Sequence, residues 1–245
     1  MGGHYTMKTD TSRRLVLFDI DGTLLDTQGA GRRGFHAALL DVFRTTGPID
    51  SYRFCGRTDP EIARHLLTAA GVSEEQLVSE LPRLWDQYLA NLEVEVKARP
   101  PQVCPGVTEL LERIESEGDR FVLGLLTGNI ERGARLKVDS SGLGFSRFRL
   151  GAYGSDHEIR DQLPAVAVAR AEAKTGHYFE GKSVVIVGDT PADIACGAQL
   201  GARSIAVATG LFTEDQLAAC EPDFLFATLE DAEAVMHAIG KELGG

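Results

Sequence analysis

The chain has 245 residues, is 43% hydrophobic and 25% charged, and carries a formal net charge of −11. These values fit an ordinary folded protein of one large domain or two modest ones, and exclude a largely disordered chain, a collagen-like chain and a coiled coil. The acidic balance argues against general binding to nucleic acid or to anionic membranes, and no apolar run approaches the ~20 residues that a bilayer span needs.

The stretch Met1–Asp10 is polar and lacks the apolar segment of a signal peptide. Leu15 to Phe18 is short and continuously apolar, followed by turn-forming residues, as in a buried parallel strand. Apolar residues then recur at helical spacing over Gly31–Phe43. Asp59-Pro60-Glu61 reads as an N-cap with proline at the first helical position, opening a helix to about Ala70. Ser73-Glu74-Glu75-Gln76 resembles a capping box ahead of a long helix carrying Leu77, Leu84, Tyr88 and Leu92. Residues 27–98 therefore read as all helix.

After Arg99-Pro100-Pro101 helix and strand alternate. Helices are expected over Val107–Ser116, Glu131–Ser140, Leu163–Lys174 and Ala192–Leu200, and strands over Phe121–Leu126, Ser183–Val187, Ser204–Val207 and Phe224–Phe226. Such alternation predicts a parallel sheet with right-handed crossovers. The expected architecture is α/β, a doubly wound core of residues 1–26 and 100–245 with an inserted helical block, 27–99. The closest of the four cysteines, Cys196 and Cys220, are 24 residues apart. They read as free thiols rather than a zinc or redox site, which with the polar N-terminus predicts a cytoplasmic protein.

In open parallel sheets ligands bind beyond the carboxyl ends of the strands. Three such ends carry chemistry. Asp19-Ile20-Asp21-Gly22-Thr23-Leu24-Leu25-Asp26 follows the first strand, Thr127-Gly128-Asn129 the second, and Gly188-Asp189-Thr190-Pro191-Ala192-Asp193 the strand at 183–187. Each alone is also a plain Asp-rich or capping turn. A calcium loop counted from Asp19 fails, because Leu24 and Ala30 stand where Gly and Glu are needed. Together, carboxylates converging on one rim would repel each other without a hard cation, and few ligands suit Mg²⁺. A cation beside a hydroxyl and backbone amides can hold a phosphoryl group.

These three segments resemble the first, second and fourth motifs of the haloacid dehalogenase superfamily, and the helical insertion resembles the cap of the subfamily that includes phosphoglycolate phosphatase and beta-phosphoglucomutase. The resemblance implies a Rossmann-like doubly wound core with an all-helical cap. It implies a Mg²⁺-dependent phosphatase that hydrolyses a small phosphorylated metabolite through an aspartyl-phosphate. Asp19 would be the nucleophile, Asp21 the general acid and base that also lends its backbone carbonyl to the metal, Asp189 a metal ligand, and Asp193 its direct or water-mediated support. Thr127 would hydrogen-bond the phosphoryl oxygens, helped by Gly128 and Asn129. The third motif departs from the family pattern, which places a Lys in a Lys-Pro-x-Pro context. Here Arg160 is the best replacement, since Lys174 falls late in a helix.

Three alternatives bear weighing. Gly29-Ala30-Gly31-Arg32-Arg33-Gly34 fits the dinucleotide fingerprint but does not directly follow its strand. A phosphosugar mutase of the beta-phosphoglucomutase type would use a histidine near Gly31, not at His36. A non-catalytic regulator would not require both Asp19 and Asp21. Arg57, in a Gly turn before a helix, either binds a substrate carboxylate or caps its own turn. No nucleic-acid or membrane partner is expected, and the protein is expected to be a monomer or homodimer.

Overall fold

The computed structural model describes residues 13–241, so the reading of Met1–Asp10 lies outside the described residues. In chain order the elements are β1 (Arg14–Phe18), β2 (Leu25–Asp26), α1 (Ala30–Phe43), α2 (Asp59–Ala69), α3 (Glu74–Ala98), β3 (Gln102–Val103) and α4 (Val107–Ser116). Then come β4 (Phe121–Thr127), α5 (Glu131–Ser140), β5 (Leu150–Tyr153), α6 (Leu163–Thr175), β6 (Val184–Gly188), α7 (Pro191–Cys196), β7 (Arg203–Val207), α8 (Glu214–Ala218), β8 (Phe224–Phe226) and α9 (Ala232–Gly240).

Six strands form one parallel sheet in the order β5-β4-β1-β6-β7-β8. The period of two sends alternate residues of β1 to opposite faces. Leu15 and Leu17 pack with Leu163 and Ala167 of α6. Val16 and Phe18 pack with Leu110 and Leu111 of α4 and with Val235 and Ile239 of α9. Both faces are thus covered, which explains why β1 is wholly apolar. The fold is the expected α/β doubly wound sheet. With β1 central, the chain reverses its direction of growth on either side of it, so the β1 carboxyl end opens into a crevice.

Helices α1, α2 and α3 share a separate apolar cluster that includes Phe35, Leu39, Leu66, Leu84 and Leu92. Each such side chain, fully buried, contributes roughly 1.5–3 kcal/mol. The chain leaves for this block and returns from it through β2 and β3, an antiparallel pair joining Leu25 to Val103 and Asp26 to Gln102.

Local signals explain most element ends, the cap at Ser73 among them, with three departures. Thr58, not Asp59, caps α2 by accepting from the Glu61 amide, which releases the Asp59 carboxylate for another contact. Ser73 caps α3 by accepting from the Gln76 amide. The helix expected over Ala192–Leu200 stops at Cys196, because Gly197 interrupts it and Ala198–Leu200 tightens into a 3-10 turn. Edge strand β5, Leu150-Gly151-Ala152-Tyr153, is too short and too poor in β-branched residues to stand out in the sequence. Its pairing with β4 makes it a strand. All four cysteines are free, and no described helix is long and apolar enough to cross a membrane.

Candidate active site

Parallel pairing aligns the carboxyl ends of β1, β4 and β6, and the loops beyond them bring the three Asp and Thr segments to one rim. Asp19 directly follows β1, and its amide donates to the Val187 carbonyl of β6 at 3.0 Å. The chain then turns sharply at Gly22, whose φ is +88°. A Cβ on Gly22 would strike the Asp189 carboxylate, so glycine is required both for the turn and for the approach of the two acidic segments. Thr23 holds Asp189 in place, its hydroxyl donating to Oδ1 at 3.0 Å.

Asp19 is only 6% exposed. Oxygens of Asp19, Asp189 and Asp193 lie within 4.8 Å of one another. Burial pushes the Asp19 carboxyl up to about 7; Arg160 pulls against the rise, and Asp193 and Asp21 add to it. Asp189 is raised well above the carboxylate range by burial, and further by Asp193 and Asp19. Buried oxygen donors that resist ionisation together are a donor set suited to a hard divalent cation, and Mg²⁺ fits them.

Arg160 is the balancing cation. It opens a short 3-10 turn before α6 and is 6% exposed. One guanidinium nitrogen stands 3.3 Å from Asp19 Oδ1 and also pairs with Asp193. Its Nε is buried with no hydrogen-bond partner. Arg160 is therefore not a solvated surface residue. Lys174, the other motif-three candidate, lies elsewhere on α6 and donates to the Arg149 carbonyl.

Both carboxylate oxygens of Asp193 are already engaged. Oδ1 pairs with Arg160, and Oδ2 accepts from the Thr190 amide at 3.0 Å and hydroxyl at 2.6 Å, closing the capping box of α7. Every other predicted site residue lines a single cavity of about 440 Å³ beneath the helical block, Asp193 standing just behind it.

At the β4 end, Thr127 is fully buried and its Oγ1 accepts from the Asn129 side-chain amide at 2.8 Å. That amide also donates to Asp21 Oδ2 at 2.8 Å. Asn129 thus orients Asp21 by its side chain, where the sequence suggested a backbone amide aimed at an anion. Gly128 is the seam between core and helical block. Its carbonyl accepts from the Asp59 amide at 2.8 Å, and a Cβ there would collide with the Arg57 carbonyl and lie 3.0 Å from Thr58 Cα. Both obstacles are backbone and cannot move aside cheaply. Gly128→Ala is expected to cost about 1–3 kcal/mol of overpacking strain. It should lower the melting temperature by several degrees in a thermal melt.

Arg57 lines the cavity, but its guanidinium pairs with Glu61 and lies over the Tyr52 ring at 5.3 Å. Two further side chains emerge here that the sequence reading passed over. Lys137 on α5 is 4% exposed, and its Nζ donates to Asp21 Oδ2 at 2.6 Å and to Asn129 Oδ1 at 2.5 Å. A lysine between Ala134 and Val138 on the apolar face of α5 is the signal that would have found it. Asp59 accepts from the Ile130 amide at 2.8 Å. Burial pushes its carboxyl up to about 6, with Lys137 pulling against the rise.

Comparison with known proteins gives the family and the fold. The family model described as haloacid dehalogenase-like hydrolase matches residues 16–198. The chain is 29% identical to the "probable phosphatase IndB" of Dickeya dadantii over 233 residues, covering 93% of this chain and 95% of that protein. It is 25% identical to a phosphoglycolate phosphatase of Mesorhizobium japonicum over 240 residues, covering 94% and 99%. Its fold is similar to that of a hydrolase from Pseudomonas syringae, with a TM-score of 0.70 at 18% identity, covering 94% of this chain and 100% of that one. A haloacid dehalogenase-like family protein from Streptococcus pneumoniae matches with a TM-score of 0.62 at 18% identity, covering 92% and 99%.

Proposed function

The chain belongs to the haloacid dehalogenase-like hydrolase family; it is a hydrolase of phosphomonoesters, and we propose that it works on a small phosphorylated metabolite through an aspartyl-phosphate on Asp19. The observation that carries this reading is the placement of Asp19: buried at the end of the central strand, beside Arg160 and facing a cavity. In the proposed reaction Asp19 attacks phosphorus and the ester oxygen leaves with a proton from Asp21. Asp21 then takes a proton from the water that attacks the phosphoenzyme, releasing phosphate and restoring Asp19. Thr127 and the amide of Gly128 hold the phosphoryl oxygens, and Arg160 offsets their charge as a planar fork where the family pattern has a point-charge lysine. Asn129 and Lys137 fix the Asp21 carboxylate for its two proton transfers.

Asp19, Asp189 and the Asp21 backbone carbonyl would hold Mg²⁺, with Asp193 positioning Arg160 behind them. The cation, when bound, neutralises the carboxylates and the phosphoryl group that meet there. Residues 27–99 act as a cap that covers the cavity, over a core formed, among the described residues, by 13–26 and 100–241. This reading needs neither a nucleic-acid nor a membrane partner. A mutase would need an acid–base side chain at Gly31, and none stands there.

The test is a metal titration of phosphate release. Asp189→Asn keeps an acceptor for Thr23 but removes a charge. Its Mg²⁺ requirement should shift on the order of 100-fold or more, beyond the 10- to 100-fold cost of losing an outer partner. Because the folded-state carboxyl of Asp189 lies above its unfolded value, its ionisation weakens the metal-free fold as pH rises. The metal-free variant should therefore melt no lower than the parent at neutral pH. An unchanged Mg²⁺ midpoint would remove Asp189 from the metal site.

A further inference from the structure

The cavity extends away from the carboxylates toward a second group of polar atoms that the hydrolysis of a phosphate ester does not itself require. Tyr88 of α3 is 1% exposed and lines the cavity. Its ring packs edge-on against Phe35 at 5.2 Å, and its hydroxyl, which bonds no group among the described residues, stands at the cavity wall beside Gly31. Lys137 uses two of its three N–H groups on Asp21 and Asn129. Asp59 uses one carboxylate oxygen on the Ile130 amide. Tyr88 and Lys137 converge on Gly31. A Cβ at Gly31 would lie 3.3 Å from Lys137 Nζ and 3.6 Å from the Tyr88 hydroxyl. The absence of a side chain at Gly31 therefore leaves both polar atoms facing the same part of the cavity.

A hydroxyl that lines a cavity and bonds no protein group is open to a hydrogen bond from whatever fills the cavity. The chemistry of that ligand follows from the neighbours. Tyr88 and Lys137 offer donors, Asp59 offers an acceptor, and Phe35, Phe54 and Ile62 offer apolar surface. Two carboxylates, Asp21 and Asp59, flank the one ammonium. The other cations of the wall are already engaged: Arg57 with Glu61, Arg160 with Asp19 and Asp193, and Arg32 with the Ile49 and Tyr52 carbonyls. A second negative charge on the substrate would thus meet carboxylates rather than an open cation.

On the phosphatase reading given above, we propose that Tyr88, Lys137 and Asp59 form the leaving-group subsite, and that it selects a phosphate ester of a neutral, multi-carbon polyol or sugar over one bearing a carboxylate. A ligand hydroxyl would donate to Asp59 and accept from Tyr88 or Lys137, while its C–H surface rests on the aromatic wall.

The experiment uses the full chain with Mg²⁺. Phosphate release is measured from ribose 5-phosphate, glucose 6-phosphate and glycerol 3-phosphate, from 2-phosphoglycolate and 3-phosphoglycerate, and from phenyl phosphate, in the parent and in Tyr88→Phe. The variant keeps the ring on Phe35 and loses only an unpaired hydroxyl, so it folds. At least one of the three polyol esters should exceed both carboxylate esters in kcat/KM by about tenfold or more. In Tyr88→Phe the ratio of kcat/KM for that ester to kcat/KM for phenyl phosphate should fall by about tenfold, mainly through KM, as expected for one hydrogen bond. A preference for 2-phosphoglycolate or 3-phosphoglycerate, or an unchanged ratio in the variant, overturns the proposal and leaves the phosphatase reading standing. No release from any ester, phenyl phosphate included, overturns both.

Discussion

Asp19→Asn should lower kcat for phosphate release by a factor on the order of 10⁴ or more, the scale seen when a covalent nucleophile is removed. An amide cannot form the acyl-phosphate bond, and no nearby group replaces it: Asp189 is held by Thr23, and Asp193 by Arg160 and Thr190. The fold should survive, because Asp19 is one of three buried carboxylates that repel one another. Removing one charge relieves that repulsion while Asn keeps an oxygen for Arg160. A steady-state assay beside a thermal melt separates the two outcomes. Retained Mg²⁺-dependent turnover would place the nucleophile elsewhere.

Arg160 carries the second large effect. It is the only cation within reach of Asp19 among the described residues that line the cavity, at 3.3 Å. Phosphoryl transfer depends on positioning and electrostatic stabilisation, and a contributed arginine is worth on the order of 10³-fold in rate. Arg160→Ala should lose about that much in kcat. It should also lower the melting temperature, since Asp193 is then buried without its cation. Arg160→Lys separates these contributions, returning the charge but not the fork. It should recover the melting temperature and part of kcat. Lys174→Ala should leave kcat near the parent value, because that amine serves only the Arg149 carbonyl. Near-normal kcat in Arg160→Ala would remove Arg160 from the site.

The parts of this structure that were legible in the sequence are those set by local or periodic signals. Continuous apolar runs marked β1, β4 and β6, and the residues just after them are those that converge at the rim. Proline and serine near Thr58 and Ser73 marked helix starts within a residue. Tertiary pairing decided the rest. Strand β5 exists because β4 offers it a ladder, and Asp59 bonds the Ile130 amide because Thr58 has already capped α2. Lys137 was hidden for a different reason. Its partners, Asp21 and Asn129, are 116 and 8 residues away in sequence, and its burial depends on the chain between them closing over the rim. Tyr88 read as one more apolar residue on α3, and only the cavity shows that its hydroxyl faces inward.

In the proposed reaction each turnover passes through a covalent phosphoenzyme on Asp19. The most direct measurement is an acid quench during turnover of phenyl phosphate with Mg²⁺, reduction with borohydride, and peptide mass spectrometry. An acyl phosphate on an aspartate is reduced to homoserine, so the peptide spanning Leu15–Asp26 should carry homoserine at position 19 and unmodified Asp21. Homoserine at another aspartate, or none while phosphate is being released, would rule out a phosphoenzyme on Asp19.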